Sequence, residues 1–184
     1  PRLAMMLIIV PTLVTNFLQF YRSADRVDMV LSNKFLLVPL FICTFAFSLF
    51  SFSLEQETLS FLLGLMILIF VIYRWTGFSP SFGLGFDKIL QVVSGAIIGI
   101  VAGFTHVWAP TIAVLLLIKK ANKEQFVALT GLFIFVGSSG LFFSHYFFDL
   151  LDNQALIFST LMIFPSILGF LIGIFWLTYL SQLG

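Results

Sequence analysis

His106 is the one ionisable side chain placed inside an apolar stretch of this sequence, and it sits in the segment GFTHVWAP with Thr105, Trp108, Pro110 and Thr111 close by. An imidazole at membrane depth can contact an anion or carry a proton, because its charge changes near physiological pH. It can equally satisfy a backbone carbonyl freed by Pro110. Trp108 is suited to wall or gate such a site, or simply to pack beside it. A second polar set, Thr12, Thr15, Asn16 and Gln19, falls at i, i+3, i+4 and i+7 and so shares one helix face. The amides of Asn16 and Gln19 are costly in hydrocarbon and should point inward, either to a ligand or as glue between helices. Ser138 and Ser139 form a third polar point. A helix beginning at Pro110 would add its N-terminal N–H groups, which favour a small anion. No Asp, Glu, Lys or Arg lies within the apolar stretches. The sequence therefore offers no catalytic residue, metal-ligand cluster or cofactor motif.

The element that must position His106 is residues 89–118, thirty residues without a formal charge. Unbroken, it would run about 45 Å against a hydrocarbon core of roughly 30 Å, so it would need a steeper tilt than membrane helices adopt. Pro110 and Gly103 predict a break over 103–109, with two half-helices facing each other across it. Irregular backbone at that depth needs protein or a wet cavity around it, which makes the break the leading transport site.

Composition sets the class: 60% hydrophobic, 25 Phe and 9% charged in 184 residues is more apolar surface than a soluble domain can hide. The predicted spans are 3–20, 35–54 (with Pro39), 58–73, 125–143 and 155–178. Between them lie charged or turn-rich loops, including one with His145, Asp149 and Asp152. Pro11 should open the backbone of the first span. Cys43 reads as a small packed hydrophobe. Gly95, Gly99 and Gly103, and likewise Gly169 and Gly173, mark close helix packing. The turn-rich text TGFSPSFGLG carries neither a Walker pattern nor a full dinucleotide fingerprint.

If 89–118 enters and leaves on one side, eight of the nine Lys and Arg residues share that side; a single crossing splits them five to four. The positive-inside rule favours the hairpin, entered from the cytoplasm. A faint internal repeat aligns Thr15 and Asn16 with Ser138 and Ser139, and Pro39 with Pro165. The expected fold is an all-α polytopic membrane protein of two inverted repeats with broken, re-entrant helices, truncated at both ends. Residues 1–75 would be the remainder of the first repeat, 76–88 a connector and 89–184 the second repeat, with its last span missing. A substrate site would then lie near the membrane midplane.

The runs GAIIGIVAGFTHVWAPTIAVLLL and KKANKEQFVALTGLFIFVGSSGLF, with VPTLVTNFLQ, resemble signatures of the TauE/SafE sulfite-exporter-like permeases. That resemblance implies a bacterial inner-membrane, multi-pass permease for a small anion such as sulfite or an organosulfonate, driven by an ion gradient. Where many members carry Gly-Val-Gly-Gly-Pro-like text, this chain has Thr105 to Pro110, which points to a different substrate. The alternative is a non-transporting scaffold or anchor subunit for a partner protein; an enzyme is the weakest reading. Expected partners are the small anion and the lipid bilayer, not nucleic acid, with homo-oligomerisation left open. The residues assigned to the anion are Asn16, Thr15, Gln19, Thr105, His106, Trp108, Pro110, Thr111, Ser138 and Ser139.

Overall fold

The computed structural model describes residues 2–51, 54–76, 87–150 and 153–183. Most of the connector and Asp152 lie outside these. The elements are α1 (Arg2–Tyr21), α2 (Arg26–Ser32), α3 (Lys34–Ser51), α4 (Gln56–Thr76), α5 (Asp87–Thr105), α6 (Ala109–Ile118), α7 (Lys123–Phe147), α8 (Asn153–Leu161) and α9 (Ile163–Leu183). Four described segments are long and apolar enough to cross a membrane: Lys34–Ser51, Lys88–Thr105, Lys123–Phe147 and Gln154–Trp176. Their many exposed Phe, Ile and Leu side chains belong against lipid, not water.

Prolines act differently at the two ends of the chain. Pro11 does not open α1, which stays helical through it. The ring removes the donor that would meet Leu7 O, and Ser159 of α8 replaces it, its hydroxyl donating to Leu7 O at 2.9 Å. The same hydroxyl accepts the Val10 N–H at 3.3 Å. Pro165 does interrupt regular structure: its ring crowds the carbonyl of Leu161, and the expected last span divides at Met162 into α8 and α9.

α7 starts on a capping box. Asn122 Oδ1 accepts the Gln125 N–H at 2.8 Å, and Gln125 Oε1 accepts the Asn122 N–H at 3.3 Å. The helix continues to Phe147, past the expected end at 143, and carries Ser144 and His145 into the interior. His145 is thus a fully buried helical residue and not a loop residue.

α3 and α5 run parallel in close contact. Gly95 lies on Leu36, Gly99 on Leu40 and Cys43, and Gly103 on Phe47 and Ser48, so residue numbers rise together along the pair. α7 is also parallel to α3, with Gly140 on Phe41 and Ser48 against Ser144. α1 runs antiparallel to α7: Gly131 meets Asn16 and Phe20, and the Phe17 ring packs at a tilt with its centre 5.2 Å from that of Phe135. Leu36, Leu40, Ile98, Ala102, Leu116 and Phe133 form the core between these helices. Gly169 and Gly173 do not mark close packing among the described residues, since a Cβ on either would meet nothing within 4 Å.

Both ends of the α5–α6 element return to the α2–α3 corner. Gln91 Nε2 donates to Ser32 O at 2.8 Å, and Lys88 Nζ lies 5.4 Å above the Phe35 ring. At the other end Lys119 Nζ donates to Asn33 Oδ1 at 3.1 Å. α5 and α6 are therefore a re-entrant hairpin, the geometry that the lysine and arginine distribution favours.

Candidate site at the hairpin tip

The break covers 106–108, later and shorter than the sequence suggests. Gly103 remains helical because its missing Cβ lets α5 approach α3, and the His106 N–H still reaches Ala102 O at 2.8 Å. The Thr105 hydroxyl holds the turn together, donating to Val101 O at 2.8 Å and accepting the Val107 N–H at 3.2 Å. α6 then starts with Pro110 in its first turn, where a missing N–H costs nothing. Trp108 O accepts from the Ile112 N–H at 3.1 Å and the Thr111 hydroxyl at 3.0 Å.

His106 bears two costs at this turn. Its φ is 58°, in the left-handed region that side chains with a Cβ disfavour. Its imidazole is 7% exposed, and neither Nδ1 nor Nε2 has a hydrogen-bond partner in the protein. Satisfying a freed carbonyl is therefore not its role. Buried polar atoms without partners are rare in folded proteins, and strain together with missing partners is characteristic of functional positions.

Around His106 the fold assembles groups from two other helices, α3 and α7. The His145 ring of α7 lies 5.6 Å away, with 19° between the planes. Ser48 of α3 donates to Ser144 Oγ of α7 at 2.7 Å. The Trp108 ring rests against Gly137 of α7, filling the space a Cβ would need, with Ser138 the next residue of that helix. Thr44, Ser48, Thr105, Ser138 and Ser144 are all buried here, and the buried polar side chains among the described residues include no carboxylate, amine or guanidinium.

Not all of the sequence-assigned residues converge. Thr105, His106 and Trp108 share the tip, with Ser138 one residue beyond the glycine that the indole rests against. Pro110 and Thr111 face outward into an apolar groove of about 270 Å³ between α4 and the hairpin, lined also by Met66, Phe70 and Ile97. Asn16 sits at the level of Gly131, fourteen positions along α7 from His145, which is about 21 Å. Its Nδ2 donates to Thr12 O at 2.8 Å, and the Thr15 hydroxyl donates to Pro11 O at 2.8 Å. Gln19 Nε2 donates to Val127 O at 2.6 Å and lines a polar cavity of about 580 Å³ with Arg22, Asp25, Asn122 and Lys123. Ser138 and Ser139 turn their hydroxyls to Ile134 O and Phe135 O of their own helix. Asn16 and His106 thus belong to opposite ends of the bundle.

Sequence reasoning missed Ser48, Ser144 and His145. Two patterns point to Ser48 and His145: Thr44, Ser48 and Ser51 recur at i, i+4 and i+7 in an otherwise apolar span, and His145 lies at i+7 from Ser138, while Ser144 belongs to neither.

A membrane bundle with an interrupted hairpin, whose irregular tip is buried among polar side chains, has the build of a transporter. The family model for the sulfite exporter TauE/SafE matches residues 1–183, and the chain belongs to that family of membrane transporters. No curated protein and no solved structure matches it significantly.

Proposed function

We propose that this chain forms the transport core of a multi-pass secondary permease of the bacterial inner membrane that moves a small oxyanion, sulfite or an organosulfonate. The observation that carries the proposal is His106: a buried imidazole, held in a left-handed turn between two half-helices, with both nitrogens lacking protein partners. The anion would accept from this ring and from the first-turn amides of α6, which helix geometry leaves without intrahelical acceptors. Trp108, fixed on Gly137, walls the site on the α7 side. The Asn16–Gln19 face and the polar cavity at Gln19 line the approach from the lysine-rich end.

The test is flux of sulfite and methanesulfonate into proteoliposomes containing the full-length protein. Removing a donor to a charged ligand costs about 1.5 to 3 kcal/mol, so His106→Ala should lower apparent affinity roughly ten- to more than a hundredfold at normal expression. Absence of flux for every small anion tried would leave the scaffold reading in its place.

A further inference from the structure

We propose that His106 and His145 form a proton-binding pair that takes up one proton, and only one, with each anion transported. The proposal rests on the permease reading above and adds its coupling ion and stoichiometry.

An anion entering a buried site needs a compensating charge, because an isolated charge in a low-dielectric interior is very costly. The buried polar side chains among the described residues offer no fixed cation. Imidazole is the one buried side chain that can acquire a positive charge near neutral pH, and the chain contains two histidines, both here. They come from different elements, the hairpin tip and α7, and meet face to face at 5.6 Å.

That stacking sets the limit of one. Two imidazolium rings at this separation repel strongly enough to disfavour the doubly charged state by on the order of a hundredfold. Among the described residues, the groups facing the pair do not change this: α3 presents Ser48 and Thr44, α5 presents Thr105, and α7 presents Ser144, and none of these carries charge. Cys43 is half-buried at the level of Gly99, further along α3. Tyr146 and Asp149 of the α7 end, and Glu55 and Glu57 before and within α4, are exposed. A proton bound with the anion on one side leaves with it on the other, so a monovalent anion crosses without net charge and a divalent one carries a single negative charge.

The experiment uses the full-length protein in lipid nanodiscs, with ¹⁵N-labelled histidine and methanesulfonate, an anion that does not titrate in the working range. Nitrogen shifts of the two rings, assigned with His145→Gln, are followed from about pH 8 to 5. The expected result is one proton taken up by the pair over that range when methanesulfonate is bound, and markedly less uptake without it. In His145→Gln the remaining ring should titrate differently from either ring in the unaltered protein. Independent titration of the two rings, uptake of two protons, or indifference to methanesulfonate would each overturn the proposal. The proton count in the unaltered protein decides the matter even if the variant folds poorly. Proteoliposome flux separates the two readings: anion flux with independent rings removes the pair and leaves the permease. Absence of flux for any anion removes both, however the rings titrate.

Discussion

His106 and Gly137 make opposite demands on side-chain volume, and both can be tested by substitution. At a φ of 58° a glycine is freer than any residue with a Cβ, so His106→Gly relieves backbone strain of about 1 to 2 kcal/mol. The melting temperature of this variant should equal or exceed that of the unaltered protein while anion flux falls at least tenfold. A packing residue would give the reverse pattern. At Gly137 a Cβ would land on the Trp108 ring, so Gly137→Ala should cost about 1 to 3 kcal/mol by overpacking and disturb the tip with it. Adding Trp108→Phe should recover part of that loss in a double-mutant cycle. His106 was legible in the sequence because it is the one ionisable group in a charge-free stretch of thirty residues. His145 was not, because the aromatic and charged text after it reads as a loop, whereas no helix breaker stands between Gly140 and Asp149 to end α7 early.

Among the elements, the paired helices α3 and α5 depend on contacts made to backbone. A Cβ on Gly95 would strike the Leu36 carbonyl, and one on Gly99 would come 2.7 Å from Leu40 O; neither acceptor can swing aside. Gly95→Ala and Gly99→Ala should each destabilise the protein by about 1 to 3 kcal/mol, measured by thermal unfolding in detergent. Gly169→Ala and Gly173→Ala, with open space around them, serve as controls and should change little. Pro11 and Ser159 form a second dependence. Ser159→Ala leaves Leu7 O without the hydroxyl that replaces its helical donor and should cost about 1 to 3 kcal/mol; Pro11→Ala should offset much of that by restoring the N–H. Helix existence followed from apolar runs, the break in 89–118 from length and Pro110, and the hairpin from the lysine and arginine distribution. The outcome at each proline was not readable, because it depends on whether a distant hydroxyl reaches the freed carbonyl. Nothing in the text of α1 names Ser159.

For the molecule as a whole, the lysines and arginines at positions 22, 26, 34, 88, 119, 120 and 123 cluster around the α2–α3 corner and the start of α7. Glu55, Glu57 and Asp149 follow the ends of α3 and α7 at the opposite pole. Cysteines placed singly at Lys88 and Lys120, in a Cys43→Ser background, should both react with an impermeant reagent from the cytoplasmic side. Reaction from opposite sides would show that the hairpin crosses the membrane. Pole assignment could be read from charge counts, but the depth of the site could not. A midplane position was expected from repeat geometry, whereas His145 lies in the last turn of α7 and Ser48 one turn from the end of α3.

That off-centre position has an electrical consequence. α5 spans 19 residues, about 28 Å, between the basic pole and the tip, which is nearly the full hydrocarbon thickness. Most of the transmembrane voltage therefore falls between the basic pole and the imidazoles. A charge reaching them from that pole traverses nearly the whole field, worth about 2.3 kcal/mol per elementary charge at 100 mV. A charge arriving from the acidic pole crosses almost none of it. Occupancy by a divalent anion, which keeps one net negative charge after its proton is bound, should accordingly respond to membrane potential when it is supplied at the basic face and hardly at all from the other, while a monovalent anion bound with its proton should show no such response.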